Sequence, residues 1–165
     1  MTPEMTATRT LILLRHAKSA WPPDIPDVRR PLAERGRRDA PAVGRWLRAH
    51  IAAIDHVVCS SAVRAVQTWD LAAAQLATKP PTHLDERLYG ASAASLLAVT
   101  QELAQEASTA MLVGHNPGLE DFLTLLTGAV EPLKTSSLAV ITTPGSWAAT
   151  GPHSATLATV ATPRG

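Results

Sequence analysis

Three short runs of aliphatic residues constrain the fold of this chain more than any other feature. They are TLILL at 10–14, HVVC at 56–59 and AMLV at 110–113. Each has the length of a strand rather than of a helix, and none shows a regular alternation with polar residues. Such runs are typical of strands that are buried on both faces of a parallel sheet. We therefore expect three buried strands at these positions.

Segments with apolar residues at helical spacing separate these runs. The predicted helices cover about 33–51, 62–76, 93–106 and a stretch that starts at Leu119. Pro41 lacks the N–H that a helix interior uses, so it is expected in the first turn of the first helix. Ser60 or Ser61 is expected to cap the second helix, because a serine hydroxyl can accept a free N–H of the first turn.

The order of strands and helices predicts the fold class. Residues 84–89 are expected to form a loop or a short strand, and the runs at 138–142 and 156–160 form late strands. Alternating strands and helices are typical of a mostly parallel sheet with helices on both faces. We expect one three-layer α/β/α domain over residues 1–165, with residues 1–8 as a flexible N-terminus.

Polar residues follow each of the three buried strands. Arg15 and His16 follow the first strand, Arg64 lies one turn beyond the second, and His115 and Asn116 follow the third. Ligands of open parallel sheets collect at the carboxyl ends of the strands, so these side chains are expected to converge. Arginine pairs with phosphate oxygens, and an imidazole can attack phosphorus. The constellation therefore indicates phosphoryl transfer.

The same residues carry a resemblance to a known family. LLRHAKSAW (13–21), RPLAERGRRDA (30–40), CSSAVRAVQT (59–68) and the segment ending in VGHNP are similar to motifs of the histidine phosphatase superfamily. This superfamily includes the phosphoglycerate mutases and the short, SixA-type phosphohistidine phosphatases. The resemblance implies a phosphoglycerate-mutase-like fold with His16 as the nucleophile. Arg15, Arg64 and His115 are then the phosphate-binding groups.

Two positions depart from the family pattern and leave the substrate open. The family has glycine and glutamate after its nucleophilic histidine, where this chain has Ala17 and Lys18. Neither replacement removes a catalytic group, but both bear on substrate preference.

Ser19 and Asn116 are further candidates for phosphate binding.

A carboxylate for protonating the leaving group is expected in LDERLYG (84–90). The segment resembles the part of the phosphoglycerate mutases that holds their general acid. The resemblance places that acid at Glu86 and a substrate-binding arginine at Arg87. Asp85 is the alternative carboxylate.

We therefore predict a phosphatase that needs neither a metal nor another cofactor and forms a phosphohistidine intermediate on His16. Its substrate is a phosphorylated small molecule or a protein that carries phosphohistidine. A mutase of the phosphoglycerate type and a non-catalytic phosphate-binding module are the alternatives. A cysteine-based phosphatase is rejected, because only four residues separate Cys59 from Arg64 where that chemistry requires five.

Charge and composition limit the partners and the location. A formal net charge of +1 gives no general attraction to nucleic acid or to a membrane surface. Cys59 is the only cysteine, and the N-terminal residues contain no apolar signal core. The sequence therefore predicts a cytoplasmic protein without nucleic-acid or membrane partners.

Overall fold

The computed structural model describes residues 8–165 and contains a six-stranded sheet. Its strands are β1 (Thr8–Arg15), β2 (His56–Cys59), β3 (Thr82–Leu84), β4 (Thr109–Gly114), β5 (Leu138–Pro144) and β6 (Thr156–Ala161). The three aliphatic runs of the sequence form β1, β2 and β4. The expected flexible N-terminus falls on residues 1–7, which lie outside the described residues, and on Thr8, which begins β1.

The strands follow the order β3-β2-β4-β1-β5-β6. The pairs β1–β4, β2–β4 and β2–β3 are parallel, whereas β5 is antiparallel to both β1 and β6. The prediction of a mostly parallel sheet is therefore confirmed. The carboxyl ends of β2, β4 and β1, which lie side by side, open onto the same edge of the sheet.

Helices cover both faces of this sheet, as predicted. They are α1 (Glu34–His50), α2 (Val63–Ala73), α3 (Ala93–Gln101) and α4 (Gly118–Thr127). Alternate residues of β1 point to opposite faces, because side chains alternate along a strand. Ile12 and Leu14 pack in one core with residues of α1 and α2, and Leu11 and Leu13 pack in the other with residues of α3 and α4.

Two details of the predicted helices are wrong. Helix α1 begins at Glu34 and contains Pro41 in its interior. The loss of one backbone hydrogen bond is outweighed there by burial of the apolar side of α1. Helix α2 is preceded by Ala62 without a side-chain cap. Ser60 accepts the Ala62 N–H at 3.2 Å, but this bond lies before the helix.

Other boundaries differ by a few residues. Helix α3 ends at Gln101, earlier than the composition suggests. The segment predicted as a loop or short strand contains the end of β3 and a 3₁₀ turn at Glu86–Leu88.

Helix α1 approaches the loop after β1 closely. A Cβ atom on Gly36 would overlap the carbonyl oxygen of Lys18. The same carbonyl accepts the Ala33 N–H at 2.8 Å, so the loop after His16 is held against the start of α1. Within residues 8–165, no helix is long and apolar enough to cross a membrane.

Candidate active site

The strand ends bring His16 and His115 together. β1 and β4 are parallel neighbours in which Arg15 lies opposite Gly114, so the residue after each strand occupies an equivalent place. The two imidazole ring centroids are 5.1 Å apart. Arg64, in the first turn of α2, is buried near both rings and lowers the pKa of each through its charge. Three residues predicted from different strands therefore share one site.

The His16 ring is held in one tautomer by its own neighbour. Its Nδ1–H donates to the carbonyl oxygen of Ala17 at 2.7 Å, and Nε2 is therefore the nitrogen with the free lone pair. Burial lowers the pKa of His16 to about 3, opposed by the Ala17 hydrogen bond and aided by the charges of the site. The imidazole is thus neutral at physiological pH. A neutral, oriented imidazole has the form that nucleophilic attack on phosphorus requires.

His115 is oriented by Ser60 at the end of the neighbouring strand. The Nε2 atom of His115 lies 2.7 Å from the Ser60 hydroxyl oxygen. Burial and the charge of Arg64 lower the pKa of His115 to about 4. Its Nδ1 is buried and makes no hydrogen bond within the described part of the chain. Ser60 is thus a partner of His115 and not the predicted helix cap, and no motif in the sequence indicates this contact.

Arg15 is anchored by a loop from the other half of the chain. Its Nη1 donates to the carbonyl oxygen of Leu133 at 2.8 Å, and burial lowers its pKa. Its Nε is buried without a partner among the described residues. Asn116 donates to the same Leu133 carbonyl at 2.8 Å and to Glu120. The Asn116 amide therefore supports the loop that positions Arg15.

The residues that follow Leu133 contact the backbone at the end of β1. The backbone N–H of Ser136 donates to the carbonyl oxygens of Arg15 and His16, at 3.1 and 3.0 Å. No role could be predicted for this segment, because it has neither helical nor strand periodicity. These contacts hold the backbone of Arg15, the last residue of β1, and of His16, which follows it.

Asp27 occupies the open side of Arg64 and was missed as a site residue. The Arg64 guanidinium donates to the Asp27 carbonyl at 2.7 Å and to its carboxylate at 3.0 Å. Tyr89 donates its hydroxyl to the same carboxylate at 2.6 Å, and Arg30 does so at 3.0 Å. These bonds, led by that of Tyr89, hold the pKa of Asp27 far below its usual range. The carboxylate is therefore ionised throughout the physiological range.

Ser19 reaches this network rather than the two histidines. Its hydroxyl accepts a hydrogen bond from Arg30, whose guanidinium also donates to the Ala20 carbonyl at 3.0 Å. The Trp21 ring covers the guanidinium at 3.2 Å from its centroid. The only sequence signal for this network is the spacing of three residues between Asp27 and Arg30, in the proline-rich loop between β1 and α1.

Within residues 8–165, no hydrogen bond or ion pair joins Glu86 or Arg87 to the two histidines. Arg87 forms ion pairs with Asp85 at 2.7 Å and with Glu102 at 2.8 Å. Glu86 is exposed, and its carboxylate makes no hydrogen bond within residues 8–165. Its role as a general acid stays a prediction without a contact that supports it.

The Cys59 thiol is buried and protonated, so it lacks the properties of a nucleophile. It is fully buried in the core beside Trp69, and burial raises its pKa to about 12. A thiol that stays protonated cannot attack phosphorus at neutral pH. Among the described residues, no group of three or more His, Cys, Asp or Glu side chains is placed to hold a metal ion.

Comparison with known proteins extends these observations. The family model of the histidine phosphatase superfamily (branch 1) matches residues 11–123. An uncharacterized protein of Mycobacterium tuberculosis is 38% identical over 162 residues, covering 92% of this chain and 100% of that protein.

Two solved structures share the fold over nearly the whole length. A candidate phosphohistidine phosphatase SixA from Nakamurella multipartitia has a TM-score of 0.83 at 32% identity, covering 94% of this chain and 96% of that chain. A candidate SixA from Agrobacterium tumefaciens has a TM-score of 0.82 at 26% identity, covering 94% of this chain and 98% of that chain. The similarity therefore includes the late strands that follow the family match.

Proposed function

This chain is a phosphatase of the histidine phosphatase superfamily, in its SixA-type branch, and we propose that it works through a phosphohistidine intermediate on His16 without a metal ion. The observation that carries the proposal is the Nδ1–H bond from His16 to the Ala17 carbonyl at 2.7 Å. This bond leaves the Nε2 lone pair free to attack. The substrate is a phosphohistidine on a protein or a small phosphate ester.

In the first step, the Nε2 lone pair of His16 forms a bond to phosphorus. The bond from phosphorus to the leaving group breaks, and its electron pair stays with the leaving group. In-line displacement places the leaving group opposite to His16. Because the ring of His16 is neutral at neutral pH, no proton has to leave Nε2 before the attack.

Arg15, Arg64 and His115 stabilise the charge that spreads over the equatorial oxygens. Arg15 and Arg64 supply paired N–H donors, and neither guanidinium has all of its donors occupied by the contacts above. Ser60 accepts the Ala62 N–H and can donate its own proton to Nε2 of His115. The remaining proton of His115 then resides on Nδ1, as a third donor toward the phosphate.

In the second step, water attacks phosphorus and the bond to Nε2 of His16 breaks. The electron pair returns to Nε2, one proton of the water passes to solvent, and inorganic phosphate leaves. The same three donors stabilise this transition state. The positive charge that a metal would otherwise contribute comes from the two arginines.

As a protein with a single buried thiol, the enzyme is proposed to act in the cytoplasm.

Labelling with a ³²P-phosphorylated substrate tests the intermediate. The wild-type enzyme is expected to carry phosphate that is labile in acid and stable in base, and His16→Ala is expected to carry none. His50→Ala is the matched control, because His50 lies exposed on α1 and bonds to the Trp46 carbonyl. Activity in the presence of EDTA is expected to be unchanged. Turnover by His16→Ala at the wild-type rate would refute the proposal.

A further inference from the structure

The open side of the site carries a negative charge that the proposed reaction does not use. We propose that Asp27 determines substrate specificity, favouring phosphohistidine over phosphate esters by accepting a hydrogen bond from the ring N–H of an imidazole leaving group. This inference rests on the proposed function. It adds a residue, a contact and a direction of selectivity to it.

The direction of the reaction places the leaving group beside Asp27. His16 and Arg64 each have 7% of their surface exposed, whereas the Asp27 side chain is 48% exposed. Asp27 contacts Arg64 on the side of the site that faces solvent, together with Tyr89. Because His16 attacks from the buried side and displacement is in line, the leaving group departs toward this exposed rim.

Asp27 has room for one more donor. A carboxylate offers about four lone-pair positions. Three donors occupy it in the structure, namely Arg64 and Tyr89 on Oδ2 and Arg30 on Oδ1. The carboxylate is also half-exposed, so an incoming N–H can reach Oδ1 without displacing the others.

The charge on Asp27 distinguishes two classes of leaving group. When the phosphorus–nitrogen bond of a protonated phosphohistidine breaks, the electron pair stays on the ring nitrogen and a neutral imidazole departs. Its other nitrogen keeps the N–H that Asp27 accepts, so no proton transfer is needed. A phosphate ester releases an alkoxide or phenolate, whose developing negative charge is repelled by an ionised carboxylate.

The arginines around Asp27 fix its position without removing this effect. Arg64 is shared with the phosphate once substrate is bound, and Arg30 is held by Ser19 and the Ala20 carbonyl and covered by Trp21. The carboxylate is therefore oriented by groups that do not depend on the leaving group. An oriented anion costs little reorganisation when the imidazole N–H arrives.

The test compares kcat/KM for two small substrates, phosphoimidazole and p-nitrophenyl phosphate. Asp27→Asn keeps the size and can accept the Arg64 and Tyr89 bonds through its amide oxygen, but it removes the charge and the acceptor for Arg30. A hydrogen bond to a charged group is worth about tenfold in rate or more. We therefore expect Asp27→Asn to lower the ratio of phosphoimidazole to p-nitrophenyl phosphate hydrolysis by about tenfold or more. Asp27→Glu should restore part of the ratio.

Two control variants separate this role from others. Asp24→Asn removes the same charge from the same loop, and its positive φ of 60° is tolerated by asparagine. It is expected to leave the ratio unchanged. Tyr89→Phe removes a donor to Asp27 but keeps the charge, so it should change both activities in the same proportion. Asp27→Ser, should the asparagine variant fold poorly, must give the same loss of ratio.

The outcomes are distinct. If Asp27→Asn lowers both activities in equal proportion, Asp27 only positions Arg64 and the specificity proposal is wrong. If Asp24→Asn shifts the ratio as much as Asp27→Asn does, the contact is not specific and the proposal is again wrong. If the wild-type enzyme hydrolyses neither substrate, the proposed function itself fails. A selective loss for phosphoimidazole in Asp27→Asn supports both.

Discussion

The backbone of Ala17 links the His16 ring to helix α2, because its carbonyl accepts one hydrogen bond and its N–H donates another. Its carbonyl accepts the Nδ1–H of His16 at 2.7 Å, and its N–H donates to the Thr68 hydroxyl at 2.9 Å. Thr68 in turn donates to the Arg64 carbonyl at 2.7 Å. The orientation of the proposed nucleophile is thus coupled to the helix that carries a phosphate-binding arginine.

Replacing Thr68 with valine is expected to disturb this coupling. The change preserves shape but leaves the Ala17 N–H buried without a partner, which costs about 1–3 kcal/mol. A shift of the His16 ring is expected to lower kcat by about tenfold to a hundredfold. The measurement is steady-state kinetics together with urea unfolding.

Thr100→Val is the matched control. Thr100 is equally buried and donates to the Leu96 carbonyl at 2.9 Å, but it lies on α3 on the other face of the sheet. We expect a small loss of stability and no change in kcat. Equal kinetic effects of the two replacements would show that Thr68 does not act through His16.

Acid is expected to destabilise the fold through His16 and His115. Their folded-state pKa values of about 3 and about 4 lie below the ordinary 6.5, mainly because of burial. Unfolding therefore takes up protons at any pH between the folded-state pKa of each histidine and its ordinary value of 6.5. Their contribution to stability is complete above about pH 6.5 and is lost as the pH falls toward the folded-state values.

Urea unfolding between about pH 7.5 and about pH 5 measures this effect. Each histidine contributes a slope of up to about 1.4 kcal/mol per pH unit. His16→Asn should make the pH dependence of the free energy of unfolding shallower, whereas replacement of the exposed His50 should not. An unchanged slope in His16→Asn would mean that the His16 ring is not held neutral by burial.

The core of the site could be predicted because it follows from regular structure. Uninterrupted aliphatic runs identify β1, β2 and β4, and the rule for parallel sheets then places the residues after them at one edge. His16, His115 and Arg64 are found together for that reason. No knowledge of loop geometry was required.

The remaining contacts could not be predicted, because they join irregular segments far apart in the sequence. Leu133 reaches Arg15 through its backbone carbonyl, which any residue could supply. Asp27 reaches Arg64 from a proline-rich loop whose path has no periodicity. The predicted position of Pro41 in the first turn of α1 is wrong for another reason, because the packing of α1 outweighs the local preference of proline.

Cys59 is expected to be dispensable for activity. Its thiol is buried between the sheet and α2, where a pKa of about 12 keeps it protonated. Cys59→Ala and Cys59→Ser should both retain the wild-type kcat. The serine variant should be less stable, because it buries a hydroxyl in an apolar core at a cost of about 1–3 kcal/mol. Loss of turnover in a folded Cys59→Ala enzyme would move the nucleophile from His16 to Cys59.

Glu86→Gln tests whether a general acid acts from the 3₁₀ turn after β3. A general acid contributes about a hundredfold or more to the rate, and only for leaving groups that need a proton. Glu86 is exposed and its carboxylate makes no hydrogen bond to the described site residues, so we expect a far smaller loss. The measurement compares an alkyl phosphate with phosphoimidazole in Glu86→Gln and in Glu106→Gln, a control acid in the loop after α3. A loss of about a hundredfold confined to the alkyl phosphate would show that the turn moves to place Glu86 against the leaving oxygen.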